Sequence, residues 1–299
     1  MRYFHSVQWL FTKLGLFYAK LLSFLPLKFL FSFADIIYFL FNRIYAYRKT
    51  VIDMNLINAF PHKRSEELWF IRSNYYRHLA DFIVETVKSI SISKKELKER
   101  IQLEHESYAL LKTYENTGQH IFVVLGHYGN WEWASLLAGL ETKLPSYALY
   151  ASPSNKTFEK FLLKNRSRFG CQLIAMHQVK SLYVNLQKNS SLVAFVADQT
   201  PVDTDNAYWT KFMSLDTPFF KGFDTLAQKT NAIVLYASIQ KINRGYYELK
   251  FETITENAQK ETENFIVEKY IRLLEKDINN KPEYWLWSHR RWKRAGINY

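Results

Sequence analysis

Five short apolar runs dominate the middle and later parts of the chain: 121–125, 147–150, 172–176, 192–197 and 233–239. Between them lie patterns that read as helices at 131–140, 155–168, 178–189 and 221–230. Apolar runs this short fit strands covered on both faces better than helices, which show a one-sided stripe. Strands alternating with helices predict an α/β fold with a mostly parallel sheet flanked by helices. Residues 246–254 alternate after the turn Asn243-Arg244-Gly245, which predicts a final antiparallel hairpin and makes the sheet mixed. Upstream, a helix is expected over 43–60, ending at Phe60-Pro61. Another opens at Ser65, with Glu66 and Glu67 in its first turn, and runs to about Ile90. Ser93 caps a short charged helix to Arg100, and a charged helix over 260–279 precedes the tail. No repeat or linker divides residues 61–299, which are read as one domain including the tail. Residues 1–60 are read as helices that associate with a membrane.

That second reading rests on residues 7–41. The stretch is long enough to span a bilayer, but Lys13, Lys20, Lys28 and Asp35 interrupt it and Pro26 splits it. A charge at the centre of a span costs roughly 3 kcal/mol. Lys13 and Lys20 share one helical face, and Leu10, Leu14, Phe17, Leu21, Phe24 and Leu25 form the opposite stripe. Two helices breaking near Pro26 are expected, lying at or shallowly in the interface with their lysines snorkelling. A hairpin packed on a soluble core and a single span near 21–41 are the alternatives. Basic residues on both sides leave the orientation open.

Forty Lys and Arg against 28 Asp and Glu give a net charge of +12, and 17% of residues are aromatic. That pairing suits a membrane surface or single-stranded nucleic acid. The chain lacks an RNP aromatic motif, a KH-type GXXG loop and a helix-turn-helix pattern, so nucleic acid is set aside. One cysteine, Cys171, excludes a disulfide scaffold and multi-cysteine metal sites. The tail Trp285-Leu286-Trp287-Ser288-His289-Arg290-Arg291-Trp292-Lys293 is read as an interfacial segment, with core packing of its tryptophans as the alternative.

The chemistry concentrates in Gly126-His127-Tyr128-Gly129-Asn130-Trp131-Glu132-Trp133, where a buried strand ends and a helix begins. Asn130 is expected to cap that helix and is grouped with the substrate-binding residues. Glu132 would sit in the first turn, where it could bond an imidazole nitrogen of His127 and fix its tautomer. His127 is then a general base for a hydroxyl. No G-x-S-x-G elbow is present, so direct transfer to a bound acceptor is favoured over a covalent enzyme intermediate. Backbone amides near Gly129 are candidates for holding an oxyanion. Asp198 and Gln199, at the mouth of the run 192–197, are further site residues. Arg166 and Arg168 are assigned to an anionic headgroup or the donor phosphopantetheine, with a solvated helix face as the alternative, and Arg290 and Arg291 are grouped with the substrate-binding residues.

The H-x4-E spacing of His127 and Glu132 resembles the motif of the late lipid A acyltransferases. These form the lauroyl/myristoyl branch of the lysophospholipid acyltransferase-like superfamily. Tyr47-Arg48-Lys49, Val51, Asn55-Leu56 and Ala59-Phe60-Pro61 are similar to that branch's entry segment. Ser154-Asn155 with Arg166, Arg168, Phe169 and Gly170 resembles its second block, Ala197-Asp198-Gln199 its third, and Pro282 to Lys293 its C-terminal signature. The likeness covers nearly the whole chain in order. It implies a glycerolipid acyltransferase-like fold at the cytoplasmic face of a bacterial inner membrane. The implied reaction moves an acyl chain from acyl carrier protein, or acyl-CoA, to a hydroxyl of a lipid A precursor or related lipid. His127 would act as base and Glu132 would orient it, with no metal or redox cofactor. Partners implied are the lipid acceptor, the carrier and the anionic membrane surface. Two positions depart from the branch. No basic residue follows Tyr150, and Asp224 stands where a glutamate is usual; both changes bear on the acceptor headgroup. An idle lipid-binding scaffold, or an acyltransferase for an amino-acid lipid or lysophospholipid, is the alternative.

Overall fold

The structure is a computed structural model that describes the backbone of residues 2–297 and 299, with side chains from Thr12 onward. In chain order the strands are β1 (Ile101–Leu103), β2 (Ile121–Leu125), β3 (Ser146–Tyr150), β4 (Gln172–Ala175), β5 (Leu192–Val196), β6 (Tyr208–Phe212), β7 (Leu215–Phe219), β8 (Ile233–Asn243) and β9 (Tyr246–Thr255). Seven of them form one sheet in the order β1-β9-β8-β2-β5-β3-β4, and β6 and β7 form a separate antiparallel hairpin. β2, β3, β4, β5 and β8 run parallel, while β9 returns antiparallel to β8 and carries β1 beside it. The sheet is therefore mostly parallel and flanked by helices, as the alternation predicts.

Two-sided burial explains why the central strands read as unbroken apolar runs. In β2, Phe122 and Val124 join a cluster with Tyr270, Ile271 and Leu274 of α11 (Phe265–Asn280). Ile121, Val123 and Leu125 face the opposite cluster, with Trp133, Leu136 and Leu137 of α7 (Trp131–Glu141) and Ala80 and Val84 of α4 (Ser65–Lys88). Burying one such side chain is worth about 2 kcal/mol, so these layers fix the sheet. Between strands lie α5 (Lys94–Arg100), α6 (His105–Glu115), α8 (Lys156–Arg166), α9 (Val179–Leu186) and α10 (Gly222–Thr230). The short strand β1, helix α6 and the β6–β7 hairpin had no counterpart in the sequence pattern.

At the N-terminus, α1 (Arg2–Ser23) and α2 (Leu27–Phe39) are separated at residues 24–26, and Pro26 occupies the N-cap position of α2. Leu27, Leu30 and Ala34 of α2 are buried in the cluster that holds Ala80 and Val84 of α4. Lys88 clamps the break by donating to the carbonyls of Ser23 and Leu25 at 3.3 and 3.2 Å. Phe17, Leu21, Phe24, Phe29, Phe33 and Ile36 are exposed. The side chain of Leu10, part of the expected stripe, falls outside the described residues. Among the described residues, no single helix is long and apolar enough to cross a membrane. The pair Leu27–Ile44 and Lys49–Ala59 meets that test together, bent by 80°. The expected helix over 43–60 is instead a π-helical turn (Leu40–Ile44) followed by α3 (Lys49–Ala59). Ala46 and Arg48, both in the left-handed region, break it.

The tail corrects the interfacial reading. Trp285, Trp287 and Trp292 are 2%, 0% and 0% exposed. Trp285 and Trp287 meet edge to face at 4.8 Å, and Phe212 packs on Trp285 at 5.7 Å. Each indole N–H has an internal acceptor: Asp198 for Trp285, the Pro282 carbonyl for Trp287 and Thr217 for Trp292. Satisfied polar tips let all three rings enter the core.

Candidate active site

β2 and β5 are parallel neighbours with Leu125 opposite Val196. Carrying that register two residues past the strand ends sets His127 opposite Asp198. The pair is bonded: His127 Nδ1 lies 2.5 Å from Asp198 Oδ1, and the His127 amide donates to Oδ2 at 2.9 Å. Trp285 Nε1 also donates to Oδ2, at 2.8 Å. Asp198 is 2% exposed. Burial pushes its carboxyl up, but the charge of the imidazole and these hydrogen bonds outweigh burial and hold it down at about 2. An ionised Asp198 favours the proton on Nδ1 and leaves Nε2 as the accepting nitrogen. Nε2 lies 3.3 Å from the side-chain amide of exposed Gln199. The imidazole is 18% exposed and rests edge-on against Trp131 at 5.1 Å. A dry, charged carboxylate behind a partly open imidazole is an arrangement suited to accepting a hydroxyl proton.

The expected bond from Glu132 to His127 is not formed. Glu132, in the first turn of α7, takes both oxygens to Arg166 at the end of α8. Arg166 Nε donates to Oε2 at 2.9 Å, and Nη2 donates to Oε1. A guanidinium fork satisfies both carboxylate oxygens at once, which a single imidazole nitrogen does not. Arg166 is thereby committed to Glu132.

The chain matches the family described as bacterial lipid A biosynthesis acyltransferase over residues 1–294. It belongs to that family. Two curated relatives are 24% identical over 251 residues, spanning 84% of this chain and 80% of each relative. They are the lipid A biosynthesis palmitoleoyltransferase of Escherichia coli (strain K12) and the lipid A biosynthesis acyltransferase of Shigella flexneri. The protein is an acyltransferase.

Other residues assigned to the acyltransferase site have different surroundings. Asn130 caps α7 as expected, accepting from the Trp133 amide at 2.9 Å. Its Nδ2 donates to Glu85 Oε2 at 2.8 Å, and the residue is fully buried, so its amide is used internally rather than offered to substrate. Gly129 adopts φ +62, and a Cβ there would sit 2.8 Å from the Ile239 carbonyl oxygen. Its N–H donates to the Tyr284 carbonyl at 3.0 Å, so the expected oxyanion donor is engaged within the protein. Arg168 donates to the carbonyls of Ser89 and Ile92, clasping α8 to the end of α4. Arg291 is fully buried over the Phe219 ring at 4.3 Å and donates to the Pro218 carbonyl, out of a substrate's reach. Burial holds its guanidinium down at about 10. Arg290 is exposed, and its carbonyl accepts from Thr200 Oγ1 at 3.4 Å. Asp224, read as bearing on the headgroup, is buried and accepts the Val267 amide at the start of α11.

The pairing of His127 with Asp198 was not foreseen, although both residues were singled out. They are 71 positions apart, and only the parallel register of β2 and β5 joins them. Glu85, which seats the turn after β2 through Asn130, gave no signal beyond being an acid in a helix.

Proposed function

We propose that this acyltransferase moves a fatty acyl chain from a thioester donor, acyl carrier protein or acyl-CoA, to a hydroxyl of a lipid A precursor. The observation that carries the reading is the His127–Asp198 pair at the strand ends, in a chain of this family. His127 Nε2 takes the acceptor's hydroxyl proton as the oxygen attacks the thioester carbonyl. The tetrahedral intermediate collapses, the C–S bond breaks, and the departing thiolate recovers the proton from the imidazolium. Asp198 stays ionised throughout, orienting the ring and stabilising its cationic form. Gln199, beside Nε2, gives way to the acceptor hydroxyl or bonds it. The Glu132–Arg166 pair fixes the first turn of α7 against α8 and so holds the shape of the turn that carries His127. The chemistry calls on no metal or redox cofactor, because the thioester itself supplies the activated acyl group.

The proposed place of action is the cytoplasmic face of the bacterial inner membrane. Exposed apolar side chains on α1 and α2 beside Lys20 and Lys28 support an interfacial seat. The net charge of +12 favours anionic lipid and an acidic carrier alike. The test is turnover by the purified full chain, with acyl-carrier and acyl-CoA donors each offered against a diphosphoryl disaccharide lipid. Product from the wild type and none from His127→Ala is expected. Lipid binding without turnover across the donors would leave an idle scaffold as the better reading.

A further inference from the structure

The loop joining the π-helical turn to α3 opens on a cavity of about 520 Å³ lined by Ala46, Arg48, Lys49, Thr50, Val51 and Arg290. Lys49 bonds Asp53 at 2.8 Å, and Arg72 bonds the other oxygen of the same carboxylate. Three cations, Arg48, Lys49 and Arg290, thus line the cavity, and Lys49 shares Asp53 with Arg72. Among the described residues neither Arg48 nor Arg290 has a carboxylate partner. Arg48 is anchored by donating to the Ser288 carbonyl at 2.8 Å, and the Arg290 guanidinium lies 5.9 Å from the Tyr299 ring centre. Two guanidiniums without a carboxylate partner at one cavity, one of them held by a backbone carbonyl, are suited to a group with several oxygens and a double charge. Among the described residues no side chain caps α3, so the partial positive charge at its start adds to the same field.

The neighbourhood specifies what carries that anion. Ile44 and Tyr45, just before the cavity, are 67% and 75% exposed, and Phe39 and Leu40 are also open. A cationic cavity edged by exposed apolar side chains matches an amphiphile with a charged head and hydrocarbon tails. The cavity also adjoins the catalytic loop. Thr200 Oγ1, one residue past Gln199, donates to the carbonyls of Arg290 and Arg291 at 3.4 and 2.7 Å.

We infer that this cavity holds a phosphoryl group of an anionic lipid. Resting on the acyl-transfer reading above, that group is a phosphate of the acceptor, bound while its hydroxyl reaches His127.

The test uses the full chain and phosphatidylcholine vesicles, plain or doped with a diphosphoryl disaccharide lipid or with phosphatidylglycerol. Each is measured with and without inorganic phosphate as competitor. Arg290→Gln is expected to weaken binding to the diphosphoryl vesicles about tenfold, as for a lost charge-assisted contact, and to leave plain vesicles unaffected. Arg290→Lys falls between, and Lys95→Gln on exposed α5 behaves as wild type. KM for the diphosphoryl acceptor rises in Arg290→Gln while kcat holds, and the difference shrinks with a dephosphorylated acceptor. An equal loss on phosphatidylglycerol vesicles assigns the cavity to a bilayer phosphate. Competition by inorganic phosphate in wild type alone supports phosphoryl chemistry. Arg48→Gln/Arg290→Gln should be weaker still; if loss of the Ser288 contact unfolds it, Arg290→Gln alone decides. Wild-type binding and KM in Arg290→Gln would overturn the inference. Absence of turnover in the wild type would instead refute acyl transfer and leave the vesicle comparison to decide the cavity.

Discussion

Replacing Glu85 with glutamine removes a carboxyl that the fold holds where a charge is unfavourable. Glu85 is fully buried; its Oε2 accepts from Asn130 Nδ2 at 2.8 Å and Tyr247 Oη at 2.7 Å, and Oε1 has no partner among the described residues. Burial is the main force raising its pKa, with Asp81 adding to it, while Lys241 and the two hydrogen bonds oppose. The result lies at about 7, against an ordinary 4.5. A carboxyl raised by folding binds its proton more tightly in the native state. Its stabilising share is therefore complete below about 4.5 and is lost as pH climbs through about 7. The linkage is worth about 3 kcal/mol. For a chain of this size that corresponds to roughly 5 °C in melting temperature. Glutamine keeps an acceptor for Asn130 and Tyr247 and puts its amide where Oε1 already lacks a partner. Melting of the detergent-solubilised full chain would be compared between wild type and Glu85→Gln at about pH 4 and pH 8, on either side of the titration. The variant should match wild type at the lower pH and melt about 5 °C higher at the upper one. Other titrating groups, buried His78 among them, cancel in the comparison at each pH. An offset that is the same at both values would refute the assignment.

Three further outcomes follow from the packing. Gly129→Ala meets the Ile239 carbonyl and an unfavourable φ together, and should lose about 2 kcal/mol or more by denaturant melting. Glu132→Gln and Arg166→Gln each leave a mostly buried charge uncompensated, at about 3 kcal/mol apiece. The double variant should recover part of that sum, and strict additivity in a thermal double-mutant cycle would contradict the pairing. Trp292→Ala should cost about 3–5 kcal/mol as a core cavity while vesicle binding by the surviving folded fraction stays unchanged, which separates a packed tryptophan from an interfacial one.

The parts of this fold that were legible in the sequence are those whose signal is local. β2, β5 and the first half of β8 read as apolar runs because both faces are covered, β3 and β4 continue the pattern toward the sheet edge, and the β8–β9 turn carries its own Gly245. The helix break at Pro26 and the Asn130 and Ser93 caps are equally local. β1 has only three residues, and β7 contains Pro218, so neither presents a strand pattern. The tail misled because tryptophan beside cations has the same composition in a core as at a membrane, and burial is decided by partners such as Asp198 and Thr217. Glu132 misled for a similar reason. Its spacing from His127 is fixed by sequence, but its stronger partner, Arg166, arrives from another helix. Asp198 was recognisable as a charge ending a buried strand, yet its bond to His127 depends on strand order, which no local pattern encodes.

The central claim is that His127, held by Asp198, transfers an acyl chain to a lipid hydroxyl. Its most direct test is mass spectrometry of total lipids from a deletion strain complemented with wild type, His127→Ala or Asp198→Asn at equal membrane protein levels. The account predicts that one lipid species loses a single acyl chain in the deletion strain and regains it with wild type. His127→Ala should restore none of it, and Asp198→Asn a trace, since loss of the orienting carboxylate lowers kcat by about a thousandfold or more. Full restoration of that chain by His127→Ala would contradict the claim.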